Sequence, residues 1–539
     1  MAVHAGASRE LMSFDYSGLR DRWYREGWFS DRTCLDAFES GAREYGSTPV
    51  VFATADAVDT TTVAVIHDRA RALAAALQHL GTRSGDAVAV QLNNRVECAI
   101  AYQAVLLCGA VLVPIVHIYG VAEVRFILEE CGVRVLVMPE RFRSVSYTER
   151  IPEFSRIDTL DHVVVVDAAE GDGYLAWSQL QAFGDYRRPS VSADAVCLLM
   201  YTSGTTSAPK GVQHSHNTVL AEQRTLPALI ASAPDDVSLV TFPPGHIAGV
   251  GSVLRPLMSG NRTVFLDGWD PARAVELGHA YGVTSTAGAP IHLQDVLELG
   301  ESGVKLPTLR EFLVGAAPVS EELGKRAAAA GIATFRSYGA TEHPTVTGEH
   351  SGEPQWARHG TDGKPLPGSS VRILGPDGYE VPAGTDGEVV VQGPEQFVGY
   401  RDAALNADAF TSDGWFRIGD LGHVDTSGRL TITDRIKDVI VRGGETISSG
   451  QVEDVLNSHP AVAEGTVVAA PDPRFGEVVA AVVALKPDAA LDIASLREHF
   501  AAAGLAKQKT PERLVFVDVL PRTALGKVRK AELRRAHFA

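Results

Sequence analysis

The run from Tyr201 to Gly211, YTSGTTSAPKG, gathers five Ser/Thr residues, two glycines and one lysine directly behind an apolar strand end, Leu198 to Met200. Glycine lets a backbone approach phosphate oxygens closely, hydroxyls add donors, and Lys210 adds a mobile point charge. That chemistry suits a polyanion such as the triphosphate of ATP. A solvated Ser/Thr-rich loop is the bland alternative, but such loops seldom lead an ordered run into Pro-Lys-Gly. The Walker A pattern is not matched, because Lys210 stands between Pro209 and Gly211 instead of between glycine and Ser/Thr. The stretch Gly245 to Gly251, GHIAGVG, also fails the dinucleotide fingerprint, since a count from Gly249 puts Leu254 where its last glycine belongs.

Three further positions carry groups that nucleotide chemistry uses. Glu342 follows Ser337-Tyr338-Gly339-Ala340-Thr341, and its carboxylate could anchor the hard Mg2+ ion of Mg-ATP. Asp420, inside GWFRIGDLG, offers two acceptor oxygens that match a vicinal diol. Lys527, in PRTALGKV, could bridge two anions brought together for reaction. Taken singly, each has an ordinary reading: a solvated acid, a turn aspartate, and a basic tail flanked by Arg529, Lys530, Arg534 and Arg535.

The elements that must position these residues alternate. Short β-rich apolar runs at Ala87 to Gln91, Val111 to Ile115 and Val133 to Met138 enclose helical stretches at Arg95 to Cys108 and Val121 to Cys131. Thr263 to Leu266, Ala272 to Tyr281, Thr284 to Ala287, Glu311 to Val314 and Glu321 to Ala330 continue the pattern. Such alternation predicts an α/β fold, parallel sheets covered by helices. After Gly368 the texture changes to short strands joined by Gly/Asp turns, predicting a β-barrel-like subdomain over about 369–434. The span Asp434 to Gly444 marks a boundary. Beyond it, helices at Gln451 to Ser458 and Ala494 to Ala502 and strands at Ala461 to Ala469 and Val478 to Leu485 predict a small α+β domain. The expected division is a large domain over 1–436 and a mobile one over 437–539.

The 539 residues are 45% hydrophobic and 21% charged, with 49 Lys and Arg against 66 Asp and Glu, for a net charge of -17. Nucleic acid is therefore not an expected partner, although a local nest of N–H groups can still bind a small anion. The five cysteines show no C-x-x-C pair and no Cys/His cluster at metal-ligand spacing, which predicts buried reduced thiols in a cytoplasmic protein. No signal peptide is expected, because charges of both signs interrupt the N-terminus. Cys98 to Val116 is nearly long and apolar enough for a membrane span, but Gly109 and Pro114 divide it and no basic cluster flanks it. No transmembrane span is expected; composition leaves a homodimer open.

Together these motifs resemble the acyl-adenylate-forming superfamily, which includes acyl-CoA synthetases, aryl-CoA ligases, peptide-synthetase adenylation domains and luciferases. The resemblance covers most of the chain. It implies that Thr202, Ser203, Gly204, Thr205, Thr206 and Lys210 hold the phosphates, with Thr205 and Glu342 at the metal. Gly315-Ala316-Ala317 resembles the adenine-side turn, while Ser337, Tyr338, Gly339 and Thr341 belong to the motif whose aromatic residue stacks on adenine. Asp420 would accept from the ribose hydroxyls, Arg435 would also reach the nucleotide, and Lys437 matches the hinge. Two departures stand out. Ser207 replaces a usual glycine, so a positive φ there would be strained, and Ile418 replaces a usual threonine.

The resemblance implies two half-reactions with ATP, Mg2+ and coenzyme A: formation of acyl-AMP, then thioester formation with release of AMP. The C-terminal domain would rotate about Lys437, presenting first the catalytic Lys527 and then the face of Gly443, Gly444 and Glu445. His246 matches a position near the acyl carboxylate and the phosphates, and Thr202 and Glu342 complete the expected catalytic set. No acidic residue occurs from Thr241 to Leu266, where amino-acid-activating relatives keep an aspartate, so a neutral acyl body is expected. Ile247, Val250, Gly288 and Ala289 suggest an apolar pocket for a fatty, alicyclic or aromatic acid. A ligase that loads a carrier protein with acyl-AMP, and a silent nucleotide-binding regulator, are the alternatives.

Overall fold

A computed structural model describes residues 16–182, 185–202, 209–231, 233–303, 308–315, 319, 321–442, 445–523 and 526–538. Its largest sheet has nine strands. In the middle of that sheet Pro49–Ala53, Arg262–Leu266, Val237–Val240, Ser285–Gly288, Glu311–Val314 and Ala333–Ala340 run parallel. A second sheet of eight strands has its own parallel centre, built from Val111–Pro114, Ala87–Val90, Val135–Pro139 and His162–Val166. The predicted α/β layering is thus present.

A single core joins the inner faces of these two sheets. Val88, Val90 and Val135 from one sheet share it with Phe52, Phe265 and Val240 from the other, and helices Val63–His79 and Val96–Leu107 lie between. Phe52 stacks on Phe265 with ring centroids 4.9 Å apart. Burial on every side explains why Val96–Leu107 is apolar all round, as an interior helix must be. Gly109, at φ +67, then turns the chain into the strand Val111–Pro114. Among the described residues no helix is long and apolar enough to cross a membrane.

The predicted β-rich segment is a four-stranded antiparallel sheet of Ser370–Leu374, Gly387–Gln392, Phe416–Val424 and Leu430–Arg435. A five-stranded sheet follows, with Gly476–Leu485 at its centre, Val462–Asp472 along one edge and the helices Ser449–Asn457, Ile493–Ala502 and Lys530–Phe538 packed on it. All five cysteines are free and buried, as expected of reduced thiols. One juxtaposition was invisible to spacing: Cys34, Cys197 and His216 come from three separate elements, yet their potential ligand atoms lie within 4.8 Å of one another.

Several sequence boundaries move by one to three residues. The strand read as Val133 to Met138 is Val135–Pro139, and the helix read as Gln451 to Ser458 begins at Ser449 because Ser448 caps it, accepting from the Gln451 N–H. An aromatic cluster ties the second and third layers together. Phe397 is fully buried, with ring centroids 4.9 Å from Tyr400, 5.2 Å from Phe410 and 5.0 Å from Phe416. Replacing it with alanine (Phe397→Ala) should cost about 3–5 kcal/mol through the cavity left behind. Urea unfolding of the large domain reads this, and a loss below about 1 kcal/mol would mean that the cluster collapses without penalty.

Candidate active site

Two parallel strands of the nine-stranded sheet end side by side at Gly288 and Gly315, where the Gly315 N–H donates to the Gly288 carbonyl at 3.0 Å. The next strand over continues through Ser337 and Tyr338 and folds back as His343–Gly348. Carboxyl ends of parallel strands are where open α/β sheets leave a crevice for ligands. Gly339 sits in that turn because no side chain fits: a Cβ there would lie 2.0 Å from the Pro344 carbonyl oxygen.

The phosphate-loop candidate is framed by an antiparallel pair. Val196–Thr202 meets Lys210–Ser215, with Tyr201 opposite Gly211 and Thr202 opposite Lys210. Ser203, Gly204, Thr205 and Thr206 lie outside the described residues, as do Ser207, Ala316, Ala317, Gly443 and Gly444; Glu445 opens the strand Glu445–Ile447. Gly211 is needed for contact, since a Cβ there would stand 3.0 Å from the Tyr201 hydroxyl. His214, on the same strand as Lys210, shares a 2.8 Å hydrogen bond between Nε2 and the Thr341 carbonyl. The lysine and the Glu342 turn are thereby held in one frame.

Lys210 Nζ lies 4.9 Å from the Tyr400 ring centroid, and the Tyr400 hydroxyl donates to Glu342 Oε1 at 2.7 Å. Burial raises the Glu342 carboxyl above its ordinary value, opposed by the Tyr400 hydrogen bond and by the charges of Lys210 and Arg435. A buried carboxyl with cations beside it and few donors on it fits a hard divalent ion, which would supply the missing positive charge.

Opposite stands Asp420, 4% exposed. It faces Arg435 across an antiparallel pair, with Arg435 Nε 3.3 Å from Oδ1, and it accepts a short hydrogen bond from the Tyr338 hydroxyl on Oδ2. Each oxygen retains a lone pair, so a diol could still be received. Tyr338, Asp420, Arg435 and Lys527 line one cleft of about 760 Å3. Lys527 comes from the last part of the chain, on a tight turn closed by the Thr523 N–H donating to the Lys527 carbonyl at 2.7 Å. Burial lowers its ammonium, Arg435 and Lys437 push the same way, and Asp420 opposes them. Lys437 is likewise lowered by burial and then by Arg435.

His246 caps the helix Ile247–Ser259. Its Nε2 is buried and meets no hydrogen-bonding partner among the described residues. Burial, with His117 and Lys527 nearby, pushes its imidazole down to about 4. His117 was not singled out from the sequence, and it too has an unpartnered buried nitrogen, Nδ1, and is pushed down to about 4 by burial and Arg143. Its sequence signal was its place in the run Pro114 to Gly120, PIVHIYG, which follows the strand Val111–Pro114 and resembles bacterial acyl-CoA ligases. Gly245 permits this meeting, because a Cβ there would be 2.5 Å from the Val116 backbone nitrogen. Of the apolar pocket candidates, Ile247 is half-buried, Val250 turns into the core, Gly288 contacts His292, and Ala289 caps the helix Pro290–Glu301.

The family profile of AMP-binding enzymes matches residues 38–401, and that of the AMP-binding enzyme C-terminal domain matches residues 451–527. The chain is 32% identical to a medium-chain fatty-acid CoA ligase of Escherichia coli K12, over 96% of this chain and 92% of that one. It is also 32% identical to ScoC, a fatty acid–acyl-carrier-protein ligase of Streptomyces coeruleorubidus, over 88% and 91%. A solved structure of ATP-bound MatB from Rhodopseudomonas palustris superposes with a TM-score of 0.83 at 28% identity, covering 94% of this chain and 99% of that one. The chain belongs to the AMP-binding enzyme family.

Two expected outcomes follow from this geometry. Asp420→Asn should weaken binding of a non-hydrolysable ATP analogue by about 10- to 100-fold, the range for a lost hydrogen bond to a charged group; unchanged affinity in calorimetry would remove Asp420 from the site. In ring NMR, His117 and His246 should stay neutral from pH 8 to about 5. Because an unfolded chain protonates histidine near 6.5, these rings withdraw stability as pH falls below that value. A midpoint near 6.5 in the folded protein would contradict their burial.

Proposed function

We propose that this chain is an ATP-dependent acid–thiol ligase that converts a hydrophobic carboxylic acid, fatty, alicyclic or aromatic, to its coenzyme A thioester through acyl-AMP. The observation that carries the reading is the convergence of Tyr338, Asp420 and Arg435 with Lys527 in one cleft, although Lys527 lies over ninety positions away from each in sequence. The fatty-acid CoA ligase relative supports a hydrophobic acid.

In the first half-reaction a carboxylate oxygen bonds to the α-phosphorus of ATP, the bond to the β-phosphate bridging oxygen breaks, and pyrophosphate leaves. Two anions must meet, and Lys527, with Arg435 and Lys437 acting on it, is the cation assigned to span them. Glu342 would hold Mg2+, which would supply charge neutralisation for the phosphates. Neutral His246, at a helix N-terminus with a free ring nitrogen, can orient the carboxylate without competing for a proton. In the second half-reaction the thiol sulfur of coenzyme A bonds to the acyl carbon, the thiol loses its proton and AMP departs. We take 437–539 as the moving domain, with Lys437 at the pivot.

The division of labour is testable. Lys527→Ala should lower carboxylate-dependent pyrophosphate release by 100-fold or more, about 3 kcal/mol of transition-state stabilisation, while thioester formation from supplied acyl-AMP stays within about tenfold. Equal loss of both steps would refute it. Because the carrier-protein ligase is as similar as the coenzyme A ligase, the second step should be run with free coenzyme A and with a phosphopantetheinylated carrier side by side. Transfer to the carrier alone would favour the carrier-loading alternative.

A further inference from the structure

We propose that the acyl pocket ends on a polar floor, the carboxyl of Glu222 and the side-chain carbonyl of Gln223, and that the acid accepted here carries a ketone or hydroxyl oxygen remote from its carboxylate. The proposal rests on the ligase reading above.

Glu222 and Gln223 lie on the helix His216–Thr225, which packs against the helix Ile247–Ser259. They meet it at Gly251. A Cβ on Gly251 would lie 2.9 Å from Glu222 Oε1 and 3.6 Å from Gln223 Nε2, so the missing side chain is what admits these polar groups. Gln223 Nε2 donates to the Gly251 carbonyl at 3.2 Å, which orients its Oε1 elsewhere. That Oε1 is buried and has no hydrogen-bonding partner among the described residues. Glu222 is 4% exposed, Gln223 is 9% exposed, and among the described residues the charged neighbour acting on Glu222 is Glu395.

Glu395 holds its own oxygens with three donors, the Thr225 hydroxyl and the hydroxyl and N–H of Thr345. Burial raises both carboxyls, Glu395 to about 7 against the donors it holds, and Glu222, whose shift no donor opposes, is the one that keeps its proton. Burial and Glu395 accordingly raise Glu222 well above the ordinary carboxyl range. Glu222 is then an O–H donor, and the next residue on the helix carries an unfilled acceptor, Gln223 Oε1. A ketone oxygen can accept from the first, and a hydroxyl can engage either. Unpartnered buried polar groups are costly and therefore call for a ligand or a water.

The position suits the far end of an acyl chain. His246 begins the helix, and Gly251 lies five residues on, about 7.5 Å along the axis at 1.5 Å per residue. An acid held by its carboxylate near His246 and Lys527 would run past Ile247 toward Glu222.

The test measures kcat/KM for pyrophosphate release by the full-length enzyme on two matched pairs, 6-oxoheptanoate with heptanoate and 4-oxocyclohexanecarboxylate with cyclohexanecarboxylate. The wild type should prefer the oxo-acid of at least one pair by about tenfold or more. Glu222→Leu should erase that preference by lowering the oxo-acid toward its hydrocarbon partner, and it should unfold no more easily than wild type, because it replaces a buried carboxyl, kept from charging by that burial, with an apolar side chain. Glu222→Gln, which keeps a donor, should retain part of the preference. Equal treatment of both members of each pair by the wild type, an equal drop of both in Glu222→Leu, or a preference for 6-aminohexanoate, which needs an ionised Glu222, would each overturn the proposal. The first result would mean that only water fills the site. Failure of every acid to release pyrophosphate would overturn the ligase reading and this proposal with it.

Discussion

The structure turns on a conflict of like charge. Lys210, Arg435, Lys437 and Lys527 act on one another or on shared carboxylates within a confined region. Asp420 and Glu342 offset part of the cationic excess, and Tyr338 and Tyr400 hold those two carboxylates with their hydroxyls. In a cleft walled by protein such an excess is expensive, because solvent screens it poorly. A triphosphate would remove the conflict. On the proposed assignment, the same preorganised charge that receives ATP would stabilise charge moving from carboxylate to pyrophosphate.

The cleft draws its groups from separate layers of the fold. Strand ends at Gly288, Gly315 and Ser337 and the pair around Thr202 and Lys210 belong to two sheets that share one core. Lys527 belongs to another layer. The junction is itself structured: Asp434 accepts from the Ser449 N–H at 2.5 Å and from the Ser449 hydroxyl at 3.0 Å, so the helix that follows the boundary is pinned to the strand that precedes it. Any rotation of the last hundred residues must exchange these bonds for others.

Burial also decides proton states. Desolvation, with cationic neighbours acting the same way, pushes the imidazoles of His117 and His246 down and so favours their neutral form. They can accept or donate one hydrogen bond next to a carboxylate without adding a fixed charge to a site already rich in cations. The carboxyls of Glu222 and Glu395 follow the same rule with the opposite sign.

Periodicity and turn chemistry made the layered fold readable from the chain alone. Glu311–Val314 and the helix Val121–Cys131 have the predicted bounds, and the change of texture after Gly368 does correspond to an antiparallel sheet. The loop at Tyr201 to Gly211 was equally legible in kind, because phosphate handling needs particular residue types close together in sequence; its strand frame is described, while its tip is not. Local order cannot specify which distant groups meet. The partnership of Tyr338 with Asp420, the approach of Lys527 to both, the pairing of His117 with His246 and the seating of Glu222 on Gly251 each join separate elements, and each depends on backbone approach distances that only packing sets. Residue type therefore determined what chemistry was available, and tertiary structure decided where it converged, because desolvation and Coulomb energy depend on separation in space and not along the chain.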